Sequence, residues 1–319
     1  MQVLFRDVAG QSLAPRGSVV CIGAFDGVHR GHRAVLERVV ARAKELDAEP
    51  VAVSFEPIPR TFFACGAPLP RLTSAREKVA ALIAGGMQRV LLLRFDAALA
   101  AMPADDFVAR VLVARLGARE VLIGDGFRFG HGRAGDIDLL RRIGAGQGFA
   151  AQVVAPVIVD GERVSSSRIR EVLAAGDFAA AARLLGRRFA ISGHVVRGQQ
   201  LGRKLGYPTA NLRMGSRVAP VGGVFAVNVR GVESGAMPGV ASLGVRPTIS
   251  GKEPLLEAHL FDFDGDLYGR RIEVEFVRKL RDEEKFESLD AMVRQIDRDA
   301  AQARAILGSP RPLALSPTS

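Results

Sequence analysis

Aromatic and sulfur-containing residues are scarce in this 319-residue chain. Tryptophan is absent and there are two tyrosines, so stacking platforms for single-stranded nucleic acid would depend on phenylalanine alone. The two cysteines, Cys21 and Cys65, cannot form a disulfide framework, and neither belongs to a Cys-x-x-Cys pair. No apolar run approaches the roughly 18 residues of a membrane span, and the amino terminus lacks the apolar core of a secretory signal. We therefore expect a soluble protein of the reducing cytoplasm.

Lysine is also rare, since only six of the 44 basic residues are lysines. Arginine, the better bidentate partner of phosphate, dominates. Against 34 acidic residues the net charge is +10, and it divides evenly. Residues 1–186 carry 24 basic and 19 acidic residues and residues 187–319 carry 20 and 15, so each part has a charge of +5. No basic tract of the kind that grips a nucleic-acid backbone stands out, so the charge favours nucleotide phosphates over nucleic acid.

The order of predicted elements divides the chain into two domains. In residues 1–186, short β-branched runs alternate with amphipathic helices, as in Val19–Ala24 followed by His32–Leu46. This rhythm predicts an α/β domain with a Rossmann-like, doubly wound parallel sheet. Residues 187–308 carry closely spaced strands with glycine-rich turns and end in a helix, which predicts a small antiparallel β-barrel with a C-terminal helix. We expect the proline-rich residues 309–319 to be a disordered tail.

The stretch Gly23-Ala-Phe-Asp-Gly-Val-His-Arg-Gly-His32 follows a predicted strand and opens a helix. Glycines there let the backbone approach a phosphate, and the start of the helix offers unpaired amide donors. His29 and His32 can donate hydrogen bonds to phosphate oxygens and stabilise the charge that develops as pyrophosphate leaves. A glycine turn with two solvated histidines is the alternative. A metal pair is less favoured, because no acidic or sulfur ligand is obviously supplied alongside.

His29-Arg-Gly-His32 resembles the signature of the nucleotidylyltransferase superfamily. The longer stretch is similar to the FMN adenylyltransferase (FAD synthetase) module of bacterial bifunctional riboflavin kinase/FAD synthetases. Three further segments agree with that family, namely Ser54–Arg60, Gly124–Gly130 and Val164–Arg170. The resemblance implies catalytic roles for both histidines and nucleotide or flavin contacts at Gly23, Phe25, Asp26, Gly31, Ser166, Ser167 and Arg170. Ser165–Ser167 could instead be only a helix N-cap.

Two positions depart from the pattern of that family. Ile58 stands where the family often has histidine or another polar residue, and Gly126 stands where aspartate or asparagine is usual. We therefore expect no polar side-chain contact at either position, although backbone groups can serve the substrate at Gly126. Neither departure touches the histidine pair.

The stretch Gly202-Arg-Lys-Leu-Gly-Tyr-Pro-Thr-Ala-Asn-Leu212 is the most specific string of the chain. Thr209 and Asn211 are two residues apart, so in an extended segment they share one face. Their neutral oxygens suit a Mg²⁺ ion that keeps water and nucleotide phosphates as its other ligands. Upstream glycines permit a loop that wraps phosphates with backbone amides, at Gly198, Gly202 and Gly206. Taken alone, Pro-Thr-x-Asn is more typical of a turn.

This string resembles the riboflavin kinase signature, and Ala241–Thr248, Leu256–Phe263 and Leu267–Arg270 follow in the order of that family. Glu257 lies in an otherwise apolar strand, where an unpaired carboxylate is costly. The resemblance makes Glu257 the general base that accepts the proton of the riboflavin 5′-hydroxyl, with an outward-facing strand residue as the alternative. It also implies Mg²⁺ ligands at Thr209 and Asn211, and nucleotide or flavin contacts at Gly198, Gly202, Lys204, Gly206, Pro208, Arg246 and Arg281.

Together the resemblances cover roughly residues 15–307 and imply a bifunctional transferase. The C-terminal domain would convert riboflavin and ATP to FMN and ADP, and the N-terminal domain would convert FMN and a second ATP to FAD and pyrophosphate. The expected partners are Mg²⁺, ATP, riboflavin, FMN and FAD, with no nucleic acid and no membrane; the oligomeric state stays open. Two alternatives remain at this point: adenylylation or cytidylylation of another phosphate ester, and a nucleic-acid-binding or regulatory protein on a degenerate scaffold.

Overall fold

A computed structural model describes residues 3–64, 69–198, 206–214, 217–248 and 251–308, with the backbone alone at 245–248 and 251–253. The contacts between residues divide the chain into two compact units. The first unit comprises Met1–Leu69 and Thr73–Ser166, and the second comprises Pro70–Leu72 and Ser167–Ser319. The domain boundary after residue 186 stays a prediction. Cys65 and the proline-rich tail lie outside the described residues.

The first unit is built on a six-stranded parallel sheet with the spatial order β1-β4-β3-β2-β5-β6. Its strands are β1 (Leu4–Phe5), β2 (Ser18–Ile22), β3 (Glu49–Glu56), β4 (Arg89–Arg94), β5 (Ala118–Gly124) and β6 (Ala150–Val154). Every residue of β2 is buried, as expected for a central strand that is covered on both faces. The connection order reverses at β2, between β3 and β5, and such a reversal is where open α/β sheets bind ligands beyond the carboxyl ends of their strands.

Helices cover both faces of this sheet. They are α1 (Arg30–Glu45), α2 (Pro59–Phe62), α3 (Ala75–Ala84), α4 (Ala97–Ala100), α5 (Ala104–Phe107), which continues as a π-helix over Val108–Arg115, and α6 (Ile137–Gln147). Val19 and Cys21 of β2 pack in a core with side chains of α1 and α3, whereas Val20 and Ile22 pack in a second core with the π-helix and α6. A hairpin of β7 (Ile158–Val159) and β8 (Glu162–Arg163) follows β6. The predicted doubly wound parallel sheet is confirmed.

The second unit contains a closed six-stranded antiparallel barrel in the order β10-β13-β12-β11-β14-β9. Its strands are β9 (Ala190–Val196), β10 (Ala210–Arg213), β11 (Gly223–Arg230), β12 (Met237–Thr248), β13 (Gly251–Leu260) and β14 (Arg271–Arg281). Helices α7 (Ser166–Ala174) and α8 (Phe178–Leu185) precede it. Phe178 of α8 stacks on Phe276 of β14, which explains why α8 groups with the barrel.

The C-terminal helix α9 (Leu289–Leu307) packs on the outside of the barrel. Ala303 of α9 is fully buried against an apolar cluster that contains Val224 and Ala226 of β11. The predicted small barrel with a C-terminal helix is confirmed. Among the described residues, none of the helices has the length and apolar character needed to cross a membrane.

Candidate active sites

The first site is the histidine loop, Gly23–His29, which joins β2 to α1. Its backbone takes left-handed φ angles at Phe25 (48°), Gly27 (90°) and Val28 (40°). Non-glycine residues adopt this conformation only at an energetic cost, so the surrounding contacts must hold the loop in shape. The loop ends at His29, which is the N-cap of α1 because its Nδ1 accepts a hydrogen bond from the backbone N–H of His32 at 3.3 Å.

The two motif histidines form a stacked pair, with ring centroids 3.6 Å apart and an interplanar angle of 17°. His29 is only 5% exposed, which argues against the alternative of two solvated histidines. Because Nδ1 of His29 accepts a hydrogen bond, its proton lies on Nε2, which is therefore a donor. Burial holds the pKa of His32 well below its usual value, and the neighbouring His29 and Lys78 lower it further. Nδ1 of His32 is buried and has no hydrogen-bond partner among the described residues.

Asp26 anchors this loop to residue Thr73, which immediately precedes the N-cap of α3. Its carboxylate accepts hydrogen bonds from the backbone N–H of Thr73 at 3.0 Å and from the Thr73 hydroxyl at 3.1 Å. The same hydroxyl accepts a hydrogen bond from the N–H of Gly27 at 3.0 Å. The hydroxyl of Ser166, 140 residues further along the chain, donates to the carbonyl of Asp26 at 2.9 Å and so also holds the loop. Asp26 is 1% exposed, so in this conformation its carboxylate holds the loop.

Lys78 of α3 lies fully buried behind the same loop. Its Nζ donates to the carbonyls of Phe55 at 2.7 Å and Ala24 at 3.3 Å, and lies 3.2 Å from Oε2 of Glu56. The hydroxyl of Ser54 also donates to the carbonyl of Ala24, at 3.2 Å. These contacts join the histidine loop to the carboxyl end of β3.

Sequence reasoning missed both Thr73 and Lys78. The segment from Thr73 to Lys78 contains a capping box, in which Ser74 and Glu77 satisfy each other's backbone N–H groups. That signal predicts the start of a helix and nothing more. Their contacts to Asp26 and Ala24 span 47 and 54 residues of chain, so no local pattern could have indicated them.

The remaining predicted residues of the first site divide between the two units. Gly23 donates its N–H to the carbonyl of Val53 at 3.1 Å, and a Cβ at Gly31 would lie 3.3 Å from the His29 ring. The first unit thus brings together seven predicted residues: Gly23, Phe25, Asp26, His29, Gly31, His32 and Ser166. Ser167 and Arg170 belong to the second unit, where Nε of Arg170 donates to the carbonyl of Pro70 at 2.6 Å.

The two departures from the family pattern have different surroundings. Ile58 is buried just before α2, so its apolar side chain offers no polar contact. Gly126 is exposed after β5 with a φ of 72°, and a Cβ there would meet nothing within 4 Å. A side chain would therefore fit at position 126, although the left-handed backbone favours glycine, asparagine or aspartate.

The second site lies on three neighbouring strands of the barrel. Asn211 of β10 is paired in register with Glu257 of β13, and Glu257 is paired with Ser242 of β12. Leu212 and Leu256, one position away, are fully buried and also paired with each other. Since neighbouring side chains in a strand point to opposite faces, the three polar residues share the face turned away from these leucines. Glu257 is half-buried and shares the outward face of the barrel with Asn211, and its role as a general base stays a prediction.

Asn211 is 4% exposed, and its Nδ2 donates to the carbonyl of Thr209 at 3.3 Å. Its Oδ1 is buried without a hydrogen-bond partner among the described residues. The backbone of Gly198 approaches so closely that a Cβ there would lie 2.8 Å from Oδ1. A buried amide oxygen without a donor suits a hard cation such as Mg²⁺, which binds oxygen ligands. The site therefore fits the predicted ion, and Thr209, the other predicted ligand, is half-buried just before β10.

Other predicted residues of the second site are held by the protein itself. Gly206 takes a φ of 85°, and the carbonyl of Pro208 accepts a hydrogen bond from Nδ1 of His259 at 2.9 Å. Arg281 binds both oxygens of the buried Asp299 in α9, at 2.9 to 3.1 Å. In this conformation Arg281 holds α9 to β14, and its contact with flavin stays a prediction. Gly202 and Lys204 lie outside the described residues, and Arg246 is described by its backbone alone.

Fold and sites together define a class of protein. A loop that opens a helix at the switch point of a parallel sheet suits nucleotide phosphates, and an acidic residue beside a candidate Mg²⁺ site suits phosphoryl transfer. Within the described part of the chain, no group of three or more His, Cys, Asp or Glu residues offers a separate metal centre. The class is thus a two-unit nucleotide-dependent transferase.

Comparison with known proteins gives the family. Residues 11–168 match the family model of FAD synthetase, and residues 185–307 match that of riboflavin kinase. The chain is 48% identical over 293 residues to the bifunctional riboflavin kinase/FMN adenylyltransferase of Pseudomonas fluorescens, covering 91% of this chain and 93% of that protein. It is 43% identical over 310 residues to the Escherichia coli K12 enzyme of the same description, covering 97% and 99%. The chain belongs to the bifunctional riboflavin kinase/FMN adenylyltransferase family.

A solved structure supports the fold. A crystal structure described as a macrolide-efflux protein from Streptococcus pneumoniae is 28% identical to this chain, with a TM-score of 0.80 over 95% of this chain and 98% of the other. The resemblance predicted from the two motifs is confirmed for both halves. The family also decides in favour of flavin over another phosphate ester as the acceptor. The roles of individual residues stay predictions.

Proposed function

We propose that this chain makes FMN and then FAD at two separate sites. The second unit transfers the γ-phosphoryl group of ATP to riboflavin, which gives FMN and ADP. The first unit joins FMN to the adenylyl group of a second ATP, which gives FAD and pyrophosphate. The observation that carries the proposal is the presence, on one chain, of the stacked pair His29 and His32 and of Asn211 paired with Glu257. Family membership supports flavin as the shared substrate.

Adenylyl transfer at the first site requires positioning and charge stabilisation. A phosphate oxygen of FMN attacks the α-phosphorus of ATP, and the bond to the departing pyrophosphate breaks with its electron pair going to pyrophosphate. The amides at the start of α1 and the Nε2–H of His29 are donors for the negative charge that develops there. His32, with its lowered pKa, stays neutral and stacks on His29, which fixes the direction of that donor.

Phosphoryl transfer at the second site requires a base and a held nucleotide. Glu257 accepts the proton of the riboflavin 5′-hydroxyl as the 5′-oxygen attacks the γ-phosphorus of ATP and ADP leaves. Asn211 and Thr209 would hold Mg²⁺ through Oδ1 and the threonine hydroxyl. Bound there, the ion would neutralise charge on the nucleotide phosphates. The cytoplasmic location and the absence of nucleic-acid and membrane partners stay predictions.

Product analysis with riboflavin, ATP and Mg²⁺ tests the proposal. We expect FMN to appear first and FAD to follow. His29→Ala or His32→Ala should reduce FAD formation and leave riboflavin phosphorylation largely intact. Glu257→Ala or Asn211→Ala should reduce FMN formation and leave FAD formation from added FMN intact. If folded protein forms neither FMN nor FAD, the proposed function is refuted. If folded His29→Ala loses both activities, the separation of the two sites is refuted.

A further inference from the structure

The buried ammonium group of Lys78 is fully committed to the protein. An ammonium has three N–H donors, and three acceptors surround this one: the carbonyls of Phe55 and Ala24 and the carboxylate of Glu56. Burying a charge is tolerated when it is paired and hydrogen-bonded in this way. The side chain is 0% exposed, so it does not touch a substrate. Any role in the reaction must act through the residues that it holds.

Those residues belong to the histidine loop and to the strand beside it. Ala24 is the second residue of the loop, and Phe55 and Glu56 end β3. Thr73, five residues before Lys78, holds the next part of the loop through Asp26. The start of α3 therefore fixes the loop on both sides of Phe25, whose φ of 48° needs external support.

We propose that Lys78 is a positioning residue for adenylyl transfer, because it holds the carbonyl of Ala24 and thereby the loop that ends at His29 and leads into His32 of α1. This inference rests on the proposed function of the first site. Positioning of this kind matters for rate, since a displacement of about 1 Å at a site can reduce turnover roughly 100-fold.

The charge of Lys78 also bears on the protonation of His32. The groups that act on His32 are His29, stacked on its ring, and Lys78 from α3. The negative groups nearby are already engaged, since Glu56 pairs with Lys78 and Asp26 binds Thr73. Burial is the largest cause of the lowered pKa of His32, and His29 and Lys78 lower it further. Removal of the ammonium should therefore raise that pKa, so that His32 takes up a proton at a higher pH than in the wild type.

The test is Lys78→Met, compared with Lys44→Met, the same substitution at an exposed lysine of α1. FAD formation from FMN and ATP is measured at saturating substrate, and riboflavin phosphorylation is measured on the same preparations. We expect kcat for FAD formation to fall roughly 100-fold in Lys78→Met, with riboflavin phosphorylation unchanged and Lys44→Met equal to the wild type. Wild-type kcat in Lys78→Met would overturn the proposal.

A second readout does not depend on activity. The chain has five histidines, so NMR titration of the imidazoles is tractable, with the His32 signal assigned by His32→Gln. We expect His32 to titrate at a higher pH in Lys78→Met than in the wild type, because Lys78 lowers its pKa; an unchanged titration would overturn the electrostatic influence of Lys78 on His32, and the positioning role is decided by kcat. If Lys78→Met does not fold, Lys78→Gln, which keeps a donor but loses the charge, is measured in the same way. A wild-type protein that forms no FAD would refute the proposed function, while the titration would still test the Lys78 contact.

Discussion

Replacing Asn211 by leucine should make the protein more stable and the kinase inactive. Leucine has nearly the shape of asparagine, so its methyl groups take the places of Oδ1 and Nδ2 against Gly198. The wild-type Oδ1 is buried without a partner among the described residues, which costs about 1–3 kcal/mol. The substitution removes that cost and loses one long hydrogen bond, from Nδ2 to the carbonyl of Thr209 at 3.3 Å, whose net worth is about 0.5–1.5 kcal/mol. We expect a net gain of roughly 1 kcal/mol in the free energy of unfolding.

The stability is measured by urea unfolding without nucleotide or Mg²⁺. Far-UV circular dichroism is the appropriate signal, because the chain has no tryptophan. Asn211→Asp is the matched control: it keeps an oxygen ligand for the ion but buries a charge in register with Glu257, so it should lower stability. The two variants therefore separate the effect of residue 211 on the free energy of unfolding from its effect as an oxygen ligand of the ion.

Kinase activity should change in the opposite direction. Loss of the amide oxygen removes a ligand of the ion that balances phosphate charge, which we place at about 3 kcal/mol of the barrier, or roughly 100-fold in rate. FAD formation from added FMN is the internal control and should equal that of the wild type. A free energy of unfolding for Asn211→Leu that is more than about 1 kcal/mol below that of the wild type would refute the reasoning about Oδ1. Riboflavin phosphorylation within about threefold of wild type would refute the role of Asn211 in the kinase site.

Two further predictions concern the first site. Thr73→Val removes one hydrogen-bond partner from the N–H of Gly27 and one from the carboxylate of Asp26. We expect the free energy of unfolding, measured with urea, to fall by roughly 2 kcal/mol and the rate of FAD formation to fall at least about tenfold. Thr73→Ser keeps the hydroxyl and should stay close to the wild type; equal losses in both variants would contradict this account. Gly126→Asn places a side chain in open space, and one new hydrogen bond to substrate would lower a KM for FAD formation by about threefold to tenfold. Unchanged KM values for both FMN and ATP would show that backbone groups serve there.

The helices and strands with strong local signals could be predicted closely. The predicted strand Val19–Ala24 and helix His32–Leu46 lie within two residues of β2 (Ser18–Ile22) and α1 (Arg30–Glu45) at both ends, because each shows its periodic pattern within a short window. The prediction failed for β1 (Leu4–Phe5) and β10 (Ala210–Arg213), which are too short to show a periodic pattern. Both exist because they pair with distant strands, β1 with β4 and β10 with β13 and β9. Such pairing is invisible in a local window of sequence.

The site residues show the same division between local and distant information. The stretch around His29 and His32 could be found because a loop between a strand and a helix concentrates its signal in ten consecutive residues. Asp26 is predicted as a ligand contact, which stays a prediction, and in the fold its carboxylate also binds Thr73. Arg281 was likewise predicted beside the flavin, and its guanidinium binds Asp299. A charged residue in a motif can therefore serve the shape of a site, and only its partners reveal this.

Both sites keep a buried polar atom unsatisfied at a residue that its motif singles out. Nδ1 of His32 and Oδ1 of Asn211 have no hydrogen-bond partner in the part of the chain that the structure describes. Each such atom costs about 1–3 kcal/mol, and an apolar side chain of similar shape would avoid the cost. At each site a nucleotide phosphate or its cation can supply the missing partner, so we expect nucleotide binding to raise the stability of the protein.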